Sequence, residues 1–180
     1  SVRDEIIDNL DNNQLANNST QLDVDDAVDV LEDFEETDKE VFLENLPENN
    51  RILIKEGLTY PEDSAGRLMQ RKFVSVSYDW NVGQAIDLLR NNKKNLPNDF
   101  YEIYLINKLR KIIGTVPLGR LMGSYRNTNL LNLINKKTRT INVFIDQEEV
   151  AYQFNKYAMV SAPVINDDNE LIGSITVDDV

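Results

Sequence analysis

The sequence predicts a mixed α+β chain, an all-helical N-terminal segment followed by two tandem β-α-β-β-α repeats. Three observations carry this. Up to about residue 58 apolar residues recur only at helical spacing and nothing alternates like a strand. From Tyr60 onward, short β-branched runs alternate with short amphipathic helices. That second pattern then recurs. Leu105-Ile106-Asn107, four residues, and Ile112-Ile113-Gly114 are echoed by Val164-Ile165-Asn166, four residues, and Leu171-Ile172-Gly173, at an offset of 59. The helix Val82–Leu89 is echoed by Gln147–Phe154 at an offset of 65, the difference falling in the Asn/Lys loop Asn91–Asp99. Repetition of strand, turn, strand and helix with both glycines in register marks one unit used twice.

Each element follows from local pattern. Val24, Ala27, Val28, Leu31 and Phe34 form an apolar stripe beside Asp25, Asp26, Asp29 and Asp33, which predicts an acidic amphipathic helix. Thr37 with Glu40 three residues on reads as a capping box ahead of Val41, Phe42, Leu43 and Leu46, with Pro47 near that helix's end. A short helix through Ile52–Lys55 is expected to stop at Gly57. The Asn-rich stretch Asn12–Thr20 is expected to be a loop or a frayed end. Tyr60-Pro61-Glu62-Asp63-Ser64-Ala65-Gly66 is turn-like. Phe73–Val76 is the first strand, Glu102–Asn107 and Ile112–Val116 form a strand pair, and Pro117 opens a short helix at its first position. The organisation is therefore 1–58 a partial, acidic helical domain, 59–69 a junction, 70–125 the first repeat and 126–180 the second.

Composition narrows the function. With neither Cys nor His there are no disulfides, thiol nucleophiles, Cys/His zinc sites or histidine bases, and the zero cysteine count agrees with a cytosolic location. A net charge of −12, from 31 acidic and 19 basic residues, argues against nucleic-acid binding, which needs a basic surface. The acidity serves either solubility or attraction for cations. No apolar run approaches the roughly 18–20 residues that cross a bilayer. The polar start without Met, and the end at Asp178-Asp179-Val180 where a helix is expected to begin, predict a piece of a longer chain. Carboxylate pairs suit acid/base chemistry, but here they lie on separate modules with no nucleophile motif and no P-loop, so no enzyme is expected.

A β-α-β-β-α unit of about 60 residues in tandem resembles the CBS pair. Gly173-Ser174-Ile175-Thr176-Val177-Asp178-Asp179 is similar to the family's Gly-x-x-Thr-x-x-Asp pattern, and the first copy departs from it, with Pro117 and Arg120 in the Thr and Asp positions. The resemblance implies a cleft for ATP or another adenosine nucleotide at Thr176 and Asp179. A Thr hydroxyl and helix N-terminal amides suit phosphate, and an Asp suits ribose hydroxyls.

Tyr60–Met69, Asp146-Gln147-Glu148-Glu149-Val150-Ala151 and Ile175–Val180 resemble segments of the MgtE-type magnesium transporters, over roughly residues 22–180. That resemblance implies a homodimer joined through the CBS pair, at the cytoplasmic face of the membrane, with a membrane pore in the same chain. It further implies Mg²⁺ held between acidic domain faces at Asp25, Asp29, Asp146, Glu148, Asp178 and Asp179, closing the pore when magnesium is plentiful. Tyr157-Ala158 stands where some relatives place a further Asp.

Blander explanations compete at each position. Asp25 and Asp29 share a helical face opposite the apolar stripe, as a solvated face also requires. Asp178-Asp179 would serve as a helix N-cap, and Asp146 as an N-cap with a box partner. A nucleotide-sensing CBS module that regulates an unrelated effector is the alternative reading.

Overall fold

The computed structural model describes residues 24–180, which form two compact units parted between Glu62 and Asp63. The stretch Asn12–Thr20 lies outside the described residues.

In the first unit, α1 (Val24–Glu32), α2 (Glu36–Glu44) and α3 (Glu48–Thr59) bury Ala27, Val28 and Leu31 against Phe42, Leu43 and Ile54. The apolar stripe of α1 is thus its core face. Two helix ends differ from expectation. Thr37 lies within α2, whose N-cap is Glu35 with no side-chain hydrogen bond, so the Thr37–Glu40 box does not form. The extended Glu35 instead turns the chain, and its carbonyl accepts from the Asp38 and Lys39 amides. The Ile52–Lys55 helix is longer than expected, because Gly57 is buried within α3 and does not end it. Pro61 does so. The residue before a proline is driven out of the helical region, and Tyr60 is extended at φ −72°, ψ 141°.

The second unit is built twice. A lead arm containing α4 (Ala65–Leu68) precedes β1 (Ser75–Ser77), α5 (Val82–Asn91), β2 (Glu102–Ile106), β3 (Ile112–Pro117) and α6 (Leu118–Met122). The second copy has a 3₁₀ arm (Leu130–Leu133), β4 (Ile141–Asn142), α7 (Gln147–Tyr157), β5 (Ser161–Ile165), β6 (Leu171–Thr176) and a 3₁₀ turn (Val177–Asp179). Each copy makes a three-stranded sheet, ordered β1-β2-β3 and β4-β5-β6. The first strand of each is parallel to the second, and the second is antiparallel to the third. Leu105 faces Gly114, Val164 faces Gly173, and one residue bulges after each pair, so the offset of 59 holds at the level of register. The first strand begins later than the Phe73–Val76 run, and Pro117 closes β3 and caps α6 rather than opening it. An edge strand tolerates Pro, which lacks the ladder donor.

The lead arms are exchanged. Ala65 and Gly66 donate to the Ile145 and Val143 carbonyls, and Gln70 pairs with Ser174, all in the second copy. The second arm returns the arrangement: Leu130 donates to Trp80 O and Asn135 to Thr115 O, in the first copy. Each arm thereby covers an edge strand that would otherwise expose unpaired amides and carbonyls.

Candidate functional site

The exchange places equivalent residues against each other. Lys111 bridges Glu170, and the Ser161 hydroxyl donates to Glu102 Oε1 at 2.9 Å. Both pairs are related by the repeat offset of 59, which defines a pseudo-two-fold axis between the copies. Two equivalent clefts flank it, and they differ sharply in size.

The cleft beside Thr176 has an open volume of only about 10 Å³. Phe73, Phe100 and Tyr104 fill it, with the Phe73 and Tyr104 rings 5.9 Å apart and tilted by 51°. Tyr104 Oη and Ser174 Oγ share a buried hydrogen bond, and burial pushes the phenol's pKa upward. Asp179 Oδ2 accepts from Thr176 N at 2.7 Å and Oγ1 at 2.9 Å, while its Oδ1 accepts from Gln70 Nε2 at 2.7 Å. The Thr176–Asp179 pair is therefore a clasp that ties the first arm to the end of β6.

The cleft beside Thr115 encloses about 410 Å³. Thr138 and Met159 stand where the closed cleft has Phe73 and Phe100, and these smaller or more flexible side chains leave the space open. The Thr115 amide donates to Thr138 Oγ1 at 3.3 Å. At the exposed rim the Arg139 guanidinium lies 3.5 Å over the centre of the Tyr157 ring, and Lys137 stands nearby. Such a cation over an aromatic face is attractive by ~0.5–1 kcal/mol at an exposed site. Deeper in, burial raises the pKa of the Glu102 carboxyl above 4.5, opposed by hydrogen bonds from Thr115 and Ser161. Arg120, in the family's Asp position, donates instead to the Leu133 and Ile134 carbonyls at 3.2 and 3.3 Å.

The acidic positions divide among separate places. Asp25, half-buried, and Asp29, exposed, lie on α1 of the first unit. Asp146 is the N-cap of α7 and accepts from the Glu148 amide at 2.8 Å; no reciprocal box forms. Glu148 and Asp178 are exposed. Among the described residues no group of three or more carboxylates gathers where it could hold a metal.

Sequence reasoning missed Glu102, Thr115, Lys137, Arg139 and Tyr157. The signal was present in the repeat alignment, where Thr138 falls opposite Phe73 and Met159 opposite Phe100.

The family model of the CBS domain matches residues 65–126 and 132–180, more than half of the chain. The chain belongs to the CBS-domain family. The model of the MgtE intracellular N domain matches residues 1–63, so an MgtE N domain precedes the CBS pair. Among curated relatives, the magnesium transporter MgtE of Enterococcus faecalis is 30% identical over 127 residues, 71% of this chain and 28% of that protein. The MgtE of Bacillus subtilis is 28% identical over 160 residues, 89% of this chain and 35% of that protein. The chain thus spans about a third of the length of these relatives. Among solved structures, the soluble part of a magnesium transporter superposes with a TM-score of 0.83 at 29% identity, covering 91% of this chain and 64% of that one. The cytosolic domain of the Mg²⁺ channel MgtE in complex with ATP superposes with a TM-score of 0.81 at 26% identity, covering 92% and 68%. Among the described residues no helix is long and apolar enough to cross a membrane.

Proposed function

We propose that this chain is the magnesium-sensing regulatory region of a magnesium transporter or channel, acting without catalysis at the cytoplasmic face of the membrane. The observation that carries the reading is one chain of net charge −12 that joins an MgtE N domain to a CBS pair. When magnesium is scarce, acidic faces repel. Two unit charges about 5 Å apart repel by roughly 0.8 kcal/mol in water, and by several-fold more at a half-dry interface. Mg²⁺ bridging Asp25 and Asp29 with Asp146, Glu148, Asp178 and Asp179 through its retained waters removes that repulsion. A preference of a few kcal/mol for the closed arrangement suffices for a two-state switch. The chain works as a homodimer through its CBS pair and transmits closure to the pore of the same protein.

A second ligand accompanies the metal. ATP bound to the cytosolic domain of a relative supports an adenosine nucleotide here, and the geometry favours the roomy Thr115 cleft over the filled one beside Thr176 and Asp179. Calorimetry with Mg²⁺ and with ATP separately tests both. Heat with ATP but none with millimolar Mg²⁺ would leave a nucleotide-sensing module serving another effector. Small-angle scattering tests the ligands: the double variant Asp25→Ala, Asp29→Ala is expected to lose magnesium-dependent compaction, and unchanged compaction removes those two residues from the site.

A further inference from the structure

The Thr115 cleft is chemically lopsided. Its rim carries the exposed cations Lys137 and Arg139, the latter over the Tyr157 ring. Its side chains are otherwise hydroxyls, an amide and apolar groups, apart from one acidic residue, Glu102, whose carboxylate sits inward on Ser161 Oγ. A carboxylate has about four acceptor positions. Thr115 and Ser161 supply at most two donors, which leaves Glu102 capacity to accept from a ligand. A nucleotide has the matching polarity, with phosphates at one end and, on amino-bearing bases, N–H donors at the other.

We propose that Glu102 makes this cleft selective for nucleotides whose base carries an exocyclic amine, by accepting a hydrogen bond from that amine while Lys137 and Arg139 take the phosphates. The inference rests on the nucleotide reading above and deepens it. Two further observations agree. Burial disfavours the charged form of Glu102, so a donor arriving from the ligand relieves a cost already present in the empty cleft. The Tyr157 face, now covered by the Arg139 guanidinium, becomes available when Arg139 turns to phosphate, which couples the two ends of the ligand. The closed cleft is also lined by Lys72, Asp99 and Glu102, but with an open volume of about 10 Å³ and aromatic rings in the space it has no room for a nucleotide.

The experiment compares ATP with purine riboside 5′-triphosphate, which carries hydrogen in place of the 6-amino group, by calorimetry on the full chain. Wild type is expected to prefer ATP by about tenfold or more, the size of a hydrogen bond to a charged group. Glu102→Leu, which keeps bulk but has no acceptor, should bring the ratio near one, and Glu102→Gln, which keeps a neutral acceptor, should lower it partway. Arg139→Gln should weaken both ligands by the same factor and leave the ratio unchanged. Thermal melts report whether each variant folds; if the Leu variant does not, the wild-type ratio and the Gln variant decide. Equal binding of the two ligands by wild type, or an undiminished ratio in the folded variants, overturns the role of Glu102 and leaves the nucleotide reading intact. Binding of neither ligand overturns both.

Discussion

At the scale of single residues, Gly173 and Glu102 show how the exchanged arms constrain side chains. A Cβ on Gly173 would meet Met69 Sδ at 2.5 Å and Met69 Cβ at 3.1 Å, and Met69 is itself 2% exposed. Sulfur at the end of a flexible chain can move, but the Met69 Cβ is tied to its backbone. Gly173→Ala should therefore destabilise by ~1–3 kcal/mol, as overpacking does, read from urea denaturation. The equivalent Gly114 meets Ile134 only at 3.3 Å, so Gly114→Ala should cost less. Similar losses for both would show that the Met69 arm yields freely. Glu102 gives a pH-dependent effect. Its folded pKa is raised above 4.5 by burial, so the folded state holds the proton more tightly than the unfolded one. Its stabilising contribution is present below that value and is lost as pH rises through the raised pKa. Glu102→Gln should accordingly melt at a higher temperature than wild type at pH 7.5, with the advantage fading toward pH 4. A temperature difference independent of pH would place the effect elsewhere.

At the scale of elements, the two hairpin turns are the clearest case of repeated local chemistry. Asn107 Oδ1 accepts from the amides of Leu109 and Lys111, and Asn166 Oδ1 from those of Asp168 and Glu170. These side chains hold turns whose third residues, Arg110 and Asn169, are left-handed at φ 60° and 61°. Asn166→Ala removes two amide partners in an exposed turn, so a loss of ~1–2 kcal/mol is expected in chemical denaturation. A midpoint shift near zero would mean that the β5–β6 ladder alone sets the turn. The repeat was legible in the sequence because turn asparagine, bulge and glycine must keep their spacing. Helix ends were less legible. Thr37 had the residue type of a cap, but the chain turns two residues earlier, and Gly57 lost to Pro61 because proline acts on backbone geometry whereas an interior glycine is only a small energetic penalty. The acidic positions were readable as acidic, yet the open cleft was not. Its size depends on which side chain of one copy faces which of the other, and a single copy's motif at Thr176 and Asp179 says nothing of Phe73 opposite.

At the scale of the second unit, the arm exchange makes the copies interdependent. The first arm covers β6 through Gln70 and Ser174, the second covers β3 through Asn135 and Thr115, and Leu171 N donates across the axis to Arg110 O. Neither sheet can keep its edge covered if the other copy unfolds, and burial of Met69 beside Gly173 is lost with it. Small domains whose cores interlock unfold together, and here Leu130 of the second arm lies in the core of the first copy. Native-state hydrogen exchange should therefore give the same opening free energy for β2–β3 and β5–β6 amides, within about 0.5 kcal/mol. Gly173→Ala should lower both by the same amount, although the substitution lies in the second copy. Were only the β5–β6 amides to exchange faster, the copies would be independent folding units, and a ligand in the Thr115 cleft, lined from both, could not act on them as one body.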